Sequence, residues 1–339
     1  MENNQLQLSF FNNIKSKIPA NLSLVDEVAD LLNISNDSAY RRIRGEKIIS
    51  LEEISKLASH FKLSVDQVLN LKSSDTIIFA GKYVRPETFD FNMYLQKMLQ
   101  DITFLNGFRN RHHIYFCKDI VAFYYFAYPE LSAFKSFAWM KTLMQFPVFA
   151  HQTFHAGVFE KSLLDTGAKI AKQYSIMPGS EIMNVSNIHT TLNQIEYYKT
   201  ARIFRSDDDL NIIYSQLHDM IDHLQAQAET GLKFMPGEKA NSQSPEYNLY
   251  VNDFVTGDNS QLVIVEDSKV SYMVHNHVNY LSTNDEKHTE YHYGFLKNVM
   301  EKSILLSKSG ERLRAGFFYM IHEEIDKSKN NQLKSFGKY

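Results

Sequence analysis

VADLLNISNDSAYRRIRGEKIISLEEISKLASHFKLSVDQVL occupies residues 28–69, and its middle, ISNDSAYRRIRGE, has the form of a tight turn followed by a short amphipathic helix carrying three arginines. Ala29 and Leu32 supply the inward face of the preceding helix. Asn33 stands where that helix must stop, and asparagine tolerates the left-handed backbone such a stop needs. Ile34 plugs the corner, and Ser35 is placed to accept from the free N–H groups that open the next helix. In that helix Ala39 and Ile43 fall four apart on one side. Asp37, Tyr40, Arg41 and Arg44 recur at i, i+3, i+4 and i+7 on the other. Gly45 ends it, as a glycine after a helix does.

A helix with a Tyr/Arg outer face, carried on two supporting helices, suits the major groove of DNA. Residues 20–71 resemble the Cro/C1-type (XRE-like) helix-turn-helix of bacterial and phage repressors. Ala29, Ile34, Ser35, Gly45, Leu51, Ile54, Ala58, Phe61, Val65 and Leu69 stand at that family's core and turn positions. The resemblance implies a fourth helix over Leu51–Lys62, opened by Ser50 with Glu53 three residues on, a capping box. A fifth is expected over Val65–Leu71, opened by Ser64 with Gln67. Two departures stand out. Asn33 replaces the family's usual glycine, and Leu24 and Val25 replace the Thr-Gln that often holds phosphate. Backbone anchoring is therefore expected from Ser23, Lys47 or Ser50.

The resemblance implies a sequence-specific DNA-binding transcriptional regulator with a recognition helix over residues 36–44. Tyr40, Arg41 and Arg44 are expected at base edges, and Asn36, Asp37, Arg42 and Lys47 at phosphates or the rim of the groove.

With 339 residues the chain is long enough for two domains, or for one domain and a small module. No basic surplus advertises nucleic acid: residues 1–72 balance nine Lys/Arg against nine Asp/Glu, leaving 27 against 30 for the remainder. The charge is local. Arg41, Arg42, Arg44 and Lys47 lie within seven residues, while Asp26, Glu27, Asp30, Glu52 and Glu53 fall on neighbouring helices. So neutral a head is expected to hold DNA weakly as one copy, which points to a homodimer on double-stranded DNA.

The single cysteine, Cys117, excludes an internal disulfide and a multi-cysteine zinc site. No signal peptide or membrane span is expected, since the apolar run 120–128 is closed by Pro129 and falls far short of the ~20 residues that cross a bilayer. The reducing cytoplasm fits.

After a polar linker at Lys72–Thr76 the signals alternate. Strands are expected over Ile77–Val84, two over His113–Tyr128 split near Lys118-Asp119, and further ones at Tyr247–Val255, Gln261–Glu266 and Val270–His275. Helices are expected over Phe89–Phe104, Leu131–Phe146, Gly157–Tyr174, Asn187–Phe204, Asp208–Thr230 with Asp207–Asp209 as its cap, Glu290–Ser303 and Glu311–Ile325. Gly231–Glu246 reads as a mobile polar loop and the tail as frayed. The chain is thus expected to be α+β, with a five-helix head over 1–72, a larger, mostly helical α+β domain over 77–330 that dimerises and senses an effector, and a tail at 331–339.

Catalytic chemistry finds little footing. His151/His155 and His288/His292 fall four apart, but neither is a His-Glu-x-x-His pair, because Gln152 and Thr289 hold the glutamate position. His275 and His277 lack the lysine of the phospholipase-D signature, to whose sensor-like relatives the late strand–strand–helix order has a faint likeness. No phosphate loop and no nucleophile elbow is present. The aromatic residues of 89–160 read first as core, and no cofactor or metal is expected. The rival readings are a metal-dependent or phospholipase-D-like enzyme targeted by the head, and a head that docks protein in place of DNA.

Overall fold

The computed structural model describes residues 5–15, 18, 22–61, 63, 76–82, 89–116, 118–254, 259–275 and 279–330. The chain divides into two compact units, Met1–Ile78 and Phe79–Tyr339. The expected fifth head helix, the linker residues 72–75, Cys117, the side chain of His275, His277 and the tail 331–339 lie outside the described residues.

In the first unit α1 (Gln5–Lys15), α2 (Leu24–Leu32), α3 (Asn36–Ile43) and α4 (Leu51–His60) close on one core. Phe10, Phe11, Ile14, Val28, Ala29, Leu32, Ala39, Leu57 and Ala58 fill it. One expected core position is not part of it. Leu51 is 80% exposed, because the first residue of α4 faces solvent and the helix reaches the core only from Ile54 onward.

The second unit is an α+β layer structure around an eight-stranded mixed sheet, order β1-β7-β6-β5-β2-β3-β4-β8. The strands are β1 (Ala80–Lys82), β2 (Arg111–Phe116), β3 (Gly179–Met183), β4 (Tyr247–Val251), β5 (Ser260–Val265), β6 (Ser268–His275), β7 (Asn279–Thr283) and β8 (Ile304–Leu305). β2, β3 and β4 run parallel, and every other pairing is antiparallel. The parallel links are helical crossovers, as parallel strands require. β2 leads through α6 (Ala122–Tyr125), α7 (Pro129–Ala138) and α8 (Lys161–Ser175) to β3, and β3 through α9 (His189–Thr200) and α10 (Asp207–Thr230) to β4. Side chains alternate along each strand. Ile114, Phe116, Ile182 and Leu262 face α11 (Glu286–Glu301) through its Leu296 and Val299. On the opposite face Tyr115, Met183, Tyr247 and Leu249 join the cores of α7, α10 and α12 (Glu311–Asn330). α5 (Phe91–Asn106) packs on α8.

Several elements differ from expectation. The second strand expected in 113–128 is the short helix α6. The aromatic run has high β-propensity, but that reports fit to a half-buried surface. A helical turn lets two adjacent residues both face inward: the Tyr124 hydroxyl donates to Glu181 Oε1 at 2.8 Å and the Tyr125 hydroxyl to Asp119 Oδ1 at 2.8 Å. The helix expected over 131–146 ends at Ala138 and continues as one π turn, Trp139–Leu143. Ser206, not the aspartate cluster, caps α10 by accepting from the Asp209 N–H. The loop 231–246 is pinned by a Leu232–Glu246 bridge and by the buried Lys233.

β3 was not expected, for a physical reason. GSEIM is wholly buried, yet its centre is Glu181. The carboxylate accepts from the hydroxyls of Tyr124, Tyr174 and Tyr247 at 2.8–3.0 Å, and Lys233 Nζ stands 3.8 Å away over the Tyr174 ring. A buried charge survives only when paired and hydrogen-bonded, and three of these four partners, Tyr124, Lys233 and Tyr247, lie more than fifty residues away in sequence.

Candidate nucleic-acid interface

The turn forms as its residues dictate. Ser23 caps α2 and Asn33 ends it in the left-handed region, φ 54° and ψ 52°. The Ile34 N–H then donates to Ala29 O at 3.0 Å, directing the chain into α3. Ser35 caps α3 by accepting from the Ser38 N–H at 3.3 Å. At the other end Gly45 takes φ 72°, and the N–H groups of Glu46 and Lys47 both donate to Arg41 O. Asn36 holds the corner closed, its Nδ2 donating to Asp26 Oδ1 at 2.8 Å.

Around this helix Asn36, Asp37, Tyr40, Arg41, Arg44 and Lys47 are exposed, while Ala39 is fully buried. Tyr40 and Arg44, one turn apart, are paired with each other. Arg44 Nη1 donates to the Tyr40 hydroxyl at 3.3 Å, and its guanidinium carbon lies 5.5 Å from the ring centroid. Arg44 also reaches Glu46 at 3.5 Å. Arg41 stands beside them on the same outward face.

Arg42 is a correction. It was expected at the groove, but its side chain is buried, 8% exposed, and grips Glu53 with two prongs: Nε to Oε2 at 3.1 Å and Nη2 to Oε1 at 2.8 Å. Its Nη1 also donates to Ser38 O at 3.2 Å. The reason is helical spacing: position 42 falls three after Ala39, on the face that meets α4. Glu53 is at the same time the acid of the α4 capping box, accepting from the Ser50 N–H at 3.0 Å. Burial raises the Glu53 carboxyl, but the hydrogen bonds from Arg42 and from the Ser50 backbone outweigh it and hold the group below its usual range. Ser23 and Ser50, expected as backbone anchors for DNA, use their oxygens as helix caps.

Gln7 is the positioning residue that sequence reasoning missed. From α1 its Nε2 donates to Arg42 O and to Lys47 O, each at 2.7 Å, and its Oε1 accepts from the Ile49 N–H at 3.2 Å. One amide thus stitches the end of α3 and the loop after it, and so sets where Lys47 stands. No local pattern marks a glutamine whose partners lie 35–42 residues on.

The histidine pairs do not assemble a site. His151 and His155 lie in a loop, so four residues apart does not put them on one face. His292 is buried with both ring nitrogens engaged, Nδ1 by Ser271 Oγ at 2.7 Å and Nε2 by Ser260 Oγ at 3.1 Å. Among the described residues no group of three or more His, Cys, Asp or Glu is placed to hold a metal ion. No described helix is long and apolar enough to cross a membrane.

Residues 17–68 match the family model described as Helix-turn-helix, of the Cro/C1 type. No curated protein and no solved structure matches the chain. The matched interval contains α2, the turn, α3 and α4, and it carries the general reading of a DNA-binding regulator.

Proposed function

We propose that the chain is a sequence-specific transcriptional regulator that acts on double-stranded DNA as a cytoplasmic homodimer, without catalytic activity of its own. α3 enters the major groove. Tyr40, Arg41 and Arg44 read base edges there, and Asn36, Asp37 and Lys47 lie at the rim or on phosphate. The larger unit supplies dimerisation and answers to a small-molecule effector.

The observation that carries this reading is the division of labour on α3. Of its arginines and those that follow it, Arg42 is spent on holding the bundle, whereas Arg41 and Arg44 stand outward beside Tyr40. A bidentate arginine–guanine contact contributes about 1–3 kcal/mol of discrimination.

The test is binding of the full chain to its own promoter region, mapped by footprinting and then titrated against salt. Arg41→Ala is expected to relax sequence preference. Lys47→Ala is expected to weaken all duplexes alike and flatten the salt slope by about one unit. Retention of wild-type binding by both variants would sink the assignment.

A further inference from the structure

The dimer in that reading needs a seam, and one face of α12 is built like half of one. Along the inner face of this helix Arg314, Phe317, Phe318, Ile321 and Ile325 are buried. Its flank is pinned to α10 by two crossed contacts, His218 Nε2 to Asp326 at 3.2 Å and His322 Nε2 to Asp222 at 3.1 Å. The helix therefore has a fixed rotation, and what it turns outward is set. Steps of three and four place Arg312, Gly316, Tyr319, Met320 and Glu323 on the opposite side, with Leu313 at its margin. Tyr319 is 64%, Leu313 54% and Met320 49% exposed. Large apolar groups exposed together on one helix face mark an association site.

Two features say what covers it. The first is charge. Arg312 stands near one end of the face and Glu323 near the other. If a second α12 is laid antiparallel with the two-fold axis midway between them, Arg312 of each helix meets Glu323 of the other. Self-complementarity of this kind is the property of an isologous interface. The second is shape. A Cβ added at Gly316 would meet nothing within 4 Å, so no packing among the described residues requires this glycine. Glycine inside an exposed helix costs about 1 kcal/mol against alanine. In the same antiparallel register Gly316 lies opposite Tyr319 and Met320, and its bare backbone makes the notch that receives them.

We propose that this face of α12 is the two-fold seam at which a second copy of the chain docks, with the two helices antiparallel. The inference rests on the dimer reading above and adds its location. Arg312–Glu323 pairs close both ends, and the Tyr319 and Met320 side chains fill the Gly316 notches.

Sedimentation equilibrium of the full chain tests it, alongside thermal unfolding at a concentration low enough that wild type and variant are both monomeric, where the midpoint reports on the monomer alone. Gly316→Gln is expected to leave the unfolding midpoint unchanged or raised, since glutamine is the better helix former, while raising the dimer dissociation constant about tenfold or more. Arg312→Glu is expected to weaken the dimer about tenfold, and Arg312→Glu combined with Glu323→Arg to restore it to within about threefold. A wild-type chain that is monomeric at 100 μM overturns the seam and the dimer reading together. A dimer that persists in every variant overturns the seam alone, leaving dimerisation elsewhere. A Gly316→Gln chain that loses stability overturns it too, because the glycine would then be serving the monomer. DNA binding is read separately: Arg41→Ala is expected to dimerise like wild type, so loss of the regulator reading would leave the seam intact.

Discussion

Arg42 and Glu53, eleven residues apart on α3 and α4, are joined by a two-pronged ion pair, and the same glutamate caps the helix that carries it. One carboxylate thus ties the start of α4 to the last turn of α3 and fixes the angle at which α3 presents its outer side chains.

Breaking that clamp is expected to loosen the head without touching the proposed reading face. Removing one partner of a largely buried pair costs about 3 kcal/mol, because the remaining charge loses its counterpart. Arg42→Ala should therefore increase amide exchange throughout α3 and α4. Arg41→Ala should leave exchange unchanged, so any loss of DNA binding in the two variants has different origins.

Gln7→Ala removes three hydrogen bonds at once and leaves Lys47 O and the Ile49 N–H without the partner Gln7 supplied, while Arg42 O keeps the Gly45 N–H. A cost of about 2 kcal/mol is expected. DNA affinity should fall while its salt slope stays near wild type, since no cation is lost. A variant that bound DNA normally and kept its melting profile would show that the stitch is dispensable.

Acid should act on the clamp through Glu53. A carboxyl held below its ordinary value adds stability that is complete above that value, and that stability disappears as pH falls through the lowered one. The head is therefore expected to lose stability only below the ordinary carboxylate range. Glu53→Gln should begin less stable at neutral pH and show a flatter acid profile, measured by exchange of α3 amides.

Lys233 makes the opposite prediction for the second unit. Burial drives its pKa from 10.5 down to about 8, against the pull of Glu181. Below pH 8 the ammonium is charged in both states and its desolvation is fully felt. As pH rises from about 8 towards 10.5 the unfolded chain binds more protons than the folded one, so stability rises. Lys233→Met should abolish that rise and lower stability at pH 7.5, because the buried Glu181 loses its counter-charge and keeps only the three tyrosine hydroxyls. Denaturant midpoints at pH 7.5 and 9.5 read the difference.

The contrast between Arg42 and Arg41 shows how far local pattern reaches. Caps, the Asn33 turn and the Ala39 side of α3 follow from one or two turns of chain, and each is where its spacing puts it. The same spacing already placed position 42 beside Ala39. Grouping it with its arginine neighbours by charge obscured that. The Phe134, Phe137, Trp139 and Met140 set was legible as core because such bulk has nowhere else to go. Helix α6, strand β3 and Gln7 were not legible, since each is stabilised by partners tens of residues away.

From its residues alone the chain determined a helix-turn-helix head, an outward Tyr40–Arg41–Arg44 face and an α+β remainder. Those depend on backbone stops, caps and periodicity, whose energies act within a few residues. Only the tertiary structure decided that Arg42 and Gln7 hold α3 in place, that a glutamate could sit at the centre of a buried strand, and which side of α12 is left uncovered. Such choices depend on desolvation. A charged or polar side chain is buried only where distant segments bring it enough partners, and that is settled when the segments meet.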